Sequence, residues 1–596
     1  MRIKTLLAAV SLTALAACAT APRPAAPPMR ESTAFTLATD QPRTVEQMAM
    51  QFDKADLTIK VIPADKAIDA VAVLDFTALA PLERLVVELD TLLTIASVQV
   101  DGVEVPADRW SNPEGRLTVA LPRPLAAGQK TVLRIAYAGQ PRVAPRAPWD
   151  GGFVWSTAPT GEPWIATAVQ GEGCDIFWPC IDSPHGEPGR VDLHITVPSE
   201  LSAPSNGRFL GKVDHGDGWT TWNWSTKSPN TYAIALNVGP YDTVTGEYRS
   251  RFGNTIPMAY WHLKSDTPEQ VQALFAQFPR MLDFFEANVG PYPFGDEKMG
   301  VVETPHLGME HQTINAYGNG YKIDGRGYDW LLQHEFAHEW FGNQLTNQNA
   351  DDMWLHEGLG SYMQPLYARW LLGDRYMQRE LANQREGLIN KYPVVSGTSK
   401  TEDEVYKGDV GPGNDIYSKG SLISHSLRML IGDEAFHEAI TRLVYGRPDP
   451  QPGNFAPLYR STGDFLEIVN AVTGQDYGWF FKGYLYNAAL PVLKQTRGRA
   501  VAAGVDDRRR RGLPHAGRGG DRRRGPGRGD DRRSGRDRGR AGRPRSDRSA
   551  EQGAASDGRD RRPAGLQGGS RQTSLTAHPR ESGDPVLSHN QRRIER

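Results

Sequence analysis

The sequence predicts a multidomain α+β chain, in which an all-β N-terminal domain precedes a mixed α/β domain. Three observations carry this. At 596 residues the chain exceeds what one hydrophobic core organises, so two or three domains are expected. From about Asp56 to Gly239 short apolar or alternating runs follow one another as strands do, whereas past Tyr248 apolar residues recur at helical spacing. After the last helical pattern aromatic residues stop, and residues 501–596 contain no Phe, Tyr or Trp.

The N-terminus reads as an address. Arg2 and Lys4 give a positive start, Leu6 to Ala17 is a short apolar run, and small residues close it, which is the pattern of an export signal over residues 1–18. The run is too short to span a bilayer comfortably. Leu15-Ala16-Ala17-Cys18 resembles the bacterial lipoprotein box, which implies that Cys18 is lipidated and begins the mature chain; the alternative is simple cleavage at the small residues. Ala19 is not the Asp of an inner-membrane retention signal. The expectation is therefore an outer-membrane lipoprotein facing the periplasm, with residues 19–45, Pro-rich at their start, as a linker.

Residues 46–245 form the expected β domain. Leu57–Val61, Leu85–Leu89 and Leu117–Leu121 read as strands, and Asp101-Gly102 as a hairpin turn. Cys174 and Cys180 have five residues between them. In an oxidising envelope they are either a disulfide or two buried thiols, and no metal-ligand pattern surrounds them.

Residues 246–496 form the mixed domain. Helical spacing covers Pro268–Val289, Tyr328–Phe341, Glu357–Leu372, Gly420–Leu430 and Phe465–Val472, with a short strand at Met299–Glu303. Trp370 and Phe436 are assigned to the core.

Charge is divided along the chain. Residues 501–596 hold 25 Arg, no Lys and 13 acidic residues, a balance of +12, which leaves −14 for residues 1–500 within the overall −2. Residues 497–596 cannot bury enough apolar surface to fold and are expected to be disordered. Arginine without any lysine is also what GC-rich codons give when read in a shifted frame. The interspersed Asp weakens a nucleic-acid-binding reading, and no nucleic-acid partner is expected.

The chemistry centres on His334-Glu335-Phe336-Ala337-His338. On a helix His334 and His338 project from one face and can bind one ion, with Glu335 beside them, the H-E-x-x-H zinc pattern. A catalytic zinc takes a third protein ligand and keeps one open position. Glu357, in Trp354-Leu355-His356-Glu357-Gly358, can supply that ligand, because the eighteen residues between it and His338 allow a loop and a second, facing helix. Glu335, not at ligand spacing, is the natural general base.

From about Glu83 to Leu493 the chain resembles the zinc aminopeptidases of the gluzincin group, the family of aminopeptidase N and leukotriene hydrolase. The resemblance rests on Gly308-Met309-Glu310-His311, on "HEFAHEWFGNQLT" from His334 to Thr346, on "WLHEG" from Trp354, and on Tyr417-Ser418-Lys419-Gly420. It implies a thermolysin-like catalytic domain, one Zn2+ per chain on His334, His338 and Glu357, and Tyr417 as the hydroxyl that stabilises the oxyanion. Glu310, with Gly308 and Met309 on the same stretch, is implied to contact the substrate and its free amino end. "QGEGCDIFWPCIDSP", from Gln170 to Pro184, looks like the loop that the family's β domain lends to the site, with Gln170 and Glu172 as further substrate contacts. The family's usual Gly-Ala-Met-Glu-Asn is altered here, His311 replacing the asparagine and Leu307 the first glycine, which bears on side-chain preference more than on the reaction.

The resulting expectation is a zinc aminopeptidase acting on peptides with a free N-terminus. The alternatives are a thermolysin-like endopeptidase, against which Glu310 argues, and a non-catalytic peptide-binding lipoprotein.

Overall fold

The computed structural model describes residues 31–323, 325–490, 494–496 and 499–501. The export signal with Cys18, the start of the linker and nearly all of the expected tail lie outside the described residues. At the tail's edge Lys494–Thr496 pairs antiparallel with Arg499–Val501, so regular backbone crosses the boundary expected at 497.

One expectation is corrected at once. The later part of the expected 19–45 linker packs on the protein, with Ser32, Thr36 and Thr39 buried. Ser32 donates to Asp90, while Thr36 and Thr39 hydrogen-bond Asp175 and Asp182. Short hydroxyl side chains that satisfy buried carboxylates bind this segment to the domain that follows.

The first half is built on an eight-stranded sheet. Its strands are β1 (Met50–Ile62), β2 (Ala67–Ala78), β3 (Thr94–Val100), β4 (Val103–Glu104), β5 (Lys130–Gly139), β6 (Arg190–Pro198), β7 (Arg208–Asp214) and β8 (Trp219–Lys227), in the order β7-β8-β6-β1-β2-β5-β3-β4. Only the β1/β6 pairing is parallel within this sheet. Ala55, Leu57, Ile59 and Val61 alternate into the core, the period of two that marked this segment as a strand. Asp101 and Gly102 both take positive φ, 52° and 78°, and close the β3/β4 hairpin. The predicted runs at Leu85 and Leu117 fall in strands Leu82–Glu88 and Arg116–Leu125 of a separate three-stranded sheet. Cys174 and Cys180 are joined by a disulfide.

A second sheet begins at β9 (Tyr241–Arg249), ahead of the boundary expected at 245, and continues through β10 (Thr255–Leu263), β11 (Met299–Glu303), β12 (Gly308–Met309) and β13 (Asn315–Tyr317) in the order β9-β10-β11-β13-β12. It is the wall between the two cores. Along β10, Met258 and Tyr260 pack with the helices, whereas Ala259, Trp261 and Leu263 pack with the β domain. Alternation therefore buries both faces of one strand in different cores.

Helices α1 (Pro268–Phe275), α2 (Phe278–Asn288), α3 (Trp330–His338), α4 (Trp354–Leu372), α5 (Asp374–Glu386), α6 (Glu402–Tyr406), α7 (Asp415–Ile431), α8 (Asp433–Tyr445), α9 (Thr462–Thr473) and α10 (Gly478–Tyr484) cover the other face. The helix expected over Pro268–Val289 is two, broken at Ala276-Gln277, with Pro279 in the first turn of α2, where its missing N–H costs nothing. Phe436 is core, but Trp370 is corrected to the surface, being 43% exposed at the end of α4. No helix among the described residues is long and apolar enough to cross a membrane.

Polar contacts join the halves. Lys298 is buried and donates its ammonium to the carbonyls of Ser205 (2.9 Å) and Gly207 (2.6 Å). Asn206 donates to the Gln312 carbonyl at 2.7 Å. Glu187 accepts from Thr346 at 2.9 Å and Tyr459 at 3.2 Å. Each satisfies groups that burial would otherwise leave costly, so the join is specific in register as well as apolar.

Candidate metal centre

Helix α3 is held at its start by Asp329, whose carboxylate accepts from the N–H groups of Leu331 and Leu332 at 3.0 and 3.2 Å. Leu331, Leu332, Phe336 and Ala337 bury the rest of its surface, as a helix enclosed on most sides requires. One turn apart, His334 and His338 bring their Nε2 atoms to 3.2 Å. His338 is oriented by donating Nδ1–H to the Phe341 carbonyl at 2.8 Å, which leaves Nε2 as the acceptor nitrogen.

Helix α4 presents Glu357, whose Oε2 lies 3.4 Å from His338 Nε2 and 3.7 Å from His334 Nε2. These residues form the one His/Cys/Asp/Glu group among the described residues whose ligand atoms lie close enough to hold a metal. Two ligand atoms each about 2.0–2.2 Å from one tetrahedral ion lie roughly 3.3–3.6 Å apart. The observed separations of 3.2, 3.4 and 3.7 Å bracket that spacing. Glu357 Oε2 is also buried without a hydrogen-bond partner, an orphaned acceptor that a cation would satisfy. Two imidazoles and a carboxylate are a donor set that suits zinc.

Three carboxylates crowd this centre. Burial and the neighbouring Glu310 push the Glu335 carboxyl well above its ordinary range, and burial raises that of Glu310. A divalent cation would relieve that repulsion, so the electrostatics fit a metal as the geometry does. Glu335 rests against Gly308, where a β-carbon would lie 2.4 Å from its Oε1, so a side chain at that position would displace the Glu335 carboxyl. Glu310 accepts from the Tyr232 hydroxyl at 2.7 Å, and its carbonyl from Asn343 at 3.0 Å. Glu339 ties the same stretch to the end of α3 by accepting from Thr313 N–H and Asn315 at 2.9 and 2.8 Å.

Tyr417, on the first turn of α7, packs its ring 6.4 Å from that of His334, and its hydroxyl bears on Glu357. Tyr406 donates to the other oxygen of Glu357 at 3.0 Å. Lys419, part of the same motif, donates to the carbonyls of Asn487 and Ala488 beyond α10, which anchors α7 from behind.

His334, His338, Glu357, Glu335, Glu310, Gly308, Met309 and Tyr417 thus converge. Met309 lies on β12, opposite Ala316. Glu172, on the β-domain loop, is buried, 4.0 Å from Arg142, with its carboxyl pushed up to about 7 chiefly by burial. Gln170 sits two residues earlier with its Nε2 buried and unpartnered. Sequence reasoning missed Tyr232 and Tyr406. Only α6 had a signal, the capping box Thr401-x-x-Glu404, which the structure forms in full. Tyr232 comes from the other half of the chain, so no local pattern could reveal it.

Residues 51–232 match the peptidase M1 N-terminal domain and residues 308–483 the peptidase family M1 domain. A leucine aminopeptidase 2 from Vanderwaltozyma polyspora is 25% identical over 420 residues, 66% of this chain and 60% of that protein. An aminopeptidase N from Haemonchus contortus is 24% identical over 319 residues, 48% of this chain and 31% of that one. The chain spans between 31% and 60% of the length of these curated relatives. Among solved structures, a two-domain M1 zinc metallopeptidase mutant bound to L-tryptophan matches at 25% identity with a TM-score of 0.63, over 78% of this chain and 99% of that one. An M1 zinc metallopeptidase from Deinococcus radiodurans matches at 25% identity with a TM-score of 0.62, over 76% and 97%.

Proposed function

Because this chain belongs to peptidase family M1, carrying both that family's N-terminal domain and its peptidase domain, we propose that it is a zinc aminopeptidase removing N-terminal residues from peptides. The observation that carries the reading is Glu310, a buried carboxylate gripped by Tyr232 beside the His-His-Glu group. A carboxylate there stabilises a charged substrate amine and offers nothing to an internal peptide segment.

His334, His338 and Glu357 would hold the ion. Zinc, when bound, supplies a Lewis acid that polarises a carbonyl and lowers the pKa of water. Glu335 takes the proton of the attacking water at its carboxylate and returns it to the leaving nitrogen. Tyr417 donates its phenol proton to the oxyanion as a hydrogen bond, and burial beside Glu357 keeps that phenol protonated at neutral pH. Glu310, with Glu172 and Gln170 from the β-domain loop, receives the substrate's amino end. Tyr406 keeps Glu357 aligned by holding the oxygen that faces away from the histidines.

The enzyme works at the cell envelope in this reading, anchored by lipid on Cys18 at the outer membrane and facing the periplasm; the sequence of residues 1–18 supports it. The test of activity is hydrolysis of matched free and N-acetylated peptides by the zinc-loaded full chain. Free peptides should be cut and acetylated ones spared. Equal cleavage of both would favour the endopeptidase alternative.

A further inference from the structure

The segment 32–39 packs over carboxylates of the β domain that play no part at the metal centre. Asp175 is only 1% exposed, and its Oδ1 is buried without a hydrogen-bond partner. The Oδ2 of Asp40 is likewise buried without one. A carboxylate oxygen left alone in the interior is costly, so its place in the fold needs a reason. Asp182 is the carboxylate common to both, acting on Asp175 and on Asp40. A β-carbon on Gly173 would lie 2.5 Å from Asp182 Oδ2 and 2.8 Å from Asp175 Oδ1, so the two oxygens meet over the bare face of that residue. Beside them is a cavity of about 10 Å³, room for about one water-sized particle, lined by Gln41, Arg43, Gln47, Glu88, Asp175 and Asp182.

The charges here do not balance. Asp182, Glu88 and Asp90 all act on Asp175. Of the two nearby arginines, Arg116 acts on Glu88, and Tyr459 is the group that acts on Arg43. Among the described residues neither arginine forms an ion pair with Asp175 or Asp182. The other ligands at hand are hard oxygens, the hydroxyls of Thr36 and Thr39, which hydrogen-bond Asp175 and Asp182. Calcium takes about six to eight oxygens and mixes carboxylates freely with neutral ones, so no third carboxylate or imidazole has to converge as at the His-His-Glu group. Magnesium keeps several of its waters, for which the cavity has no room.

We propose that Asp175 and Asp182, completed by the Thr36 and Thr39 hydroxyls, form a calcium site that locks the segment 32–39 onto the loop 170–184. The site shares no residue with the zinc centre, so it is tested with zinc in place. The full chain is stripped of metal and reloaded with zinc; calcium binding is then measured by calorimetry, and the thermal midpoint is followed in calcium and in equal magnesium. One calcium per chain should bind beside the zinc, with a dissociation constant of about 10⁻³ M or tighter. The midpoint should climb with each step in calcium and much less with magnesium. Asp175→Asn and Asp182→Asn should each weaken calcium binding by about tenfold or more, since ligand charge sets calcium affinity, and leave zinc content unchanged. Each amide keeps the shape of the side chain and removes repulsion, so without calcium both variants should be at least as stable as the unaltered protein. Absence of calcium binding up to about 10 mM overturns the proposal and leaves a shared proton to neutralise the pair. Binding that survives both substitutions overturns it too, because the ion then sits elsewhere. An equal rise of the midpoint in magnesium does the same, being what screening of surface charge gives.

Discussion

Gly358 and Gly420 stand against each other where helices α4 and α7 cross. A β-carbon on Gly420 would lie 2.8 Å from Gly358 Cα, and one on Gly358 2.9 Å from Gly420 Cα. Gly358 follows Glu357 in the chain and Gly420 comes three residues after Tyr417. The close approach of the two backbones is therefore what lets the tyrosine reach the glutamate.

Gly420→Ala should force α4 and α7 apart. Overpacking of this kind costs about 1–3 kcal/mol. The denaturation midpoint should fall accordingly, and zinc affinity should weaken because Glu357 moves away from His334 and His338. An alanine variant with unchanged midpoint and zinc affinity would show that the crossing tolerates a methyl group.

Glu335→Gln should retain zinc, since Glu335 is not among the converging ligand atoms, while losing about 10²- to 10⁴-fold in kcat as the general base is removed. His338→Ala should lose both metal and activity. Metal analysis of the purified variants beside their turnover checks the distinction.

Tyr232→Phe removes the hydroxyl that donates to Glu310 at 2.7 Å. A hydrogen bond to a charged group is worth about 1.5–3 kcal/mol. KM for free-amino peptides should rise by about tenfold or more, with a smaller change in kcat, because the interaction positions the amine and not the scissile bond. Steady-state kinetics on one free peptide would reveal the split; a fall in kcat alone would assign Tyr232 elsewhere.

Glu187 links the two halves, and burial pushes its carboxyl up to about 8 against the opposing hydrogen bonds from Thr346 and Tyr459. The folded state therefore holds a proton that the unfolded chain releases from about pH 4.5 upward. Its stabilising contribution is full below about pH 4.5, declines as pH rises, and is gone above about pH 8, by at most about 1.4 kcal/mol per pH unit. Glu187→Gln cannot ionise. Relative to the unaltered protein, its stability should climb between pH 5 and pH 8.5, as measured by denaturant unfolding at both; a constant difference would refute the assignment.

Local pattern was enough for much of the fold. Strand Met299–Glu303 falls where its apolar run put it, and β1 alternates as its side chains require. Pattern failed where the physical cause was not local. The spacing from Pro268 to Val289 was continuous, but Pro279 favours a first turn, so two helices form. Trp370 looked like core from its hydrophobicity alone, yet it stands at the last turn of α4 and faces outward. Ser32, Thr36 and Thr39 carried no hydrophobic signal, since they are buried for the carboxylates they satisfy.

By itself the sequence determined that two imidazoles and a glutamate could meet one ion, because four residues on a helix bring side chains to the same face wherever that helix sits. It also determined the two-part order of strands before helices, since periods of two and 3.6 are properties of the local chain. Only the tertiary structure decided what surrounds the ion. Tyr232 reaches Glu310 from 78 residues away, and Tyr406 reaches Glu357 from 49. These partners are chosen by how the shared sheet and the Gly358–Gly420 crossing bring separate elements together, and a contact made through packing leaves no period in the chain to be read.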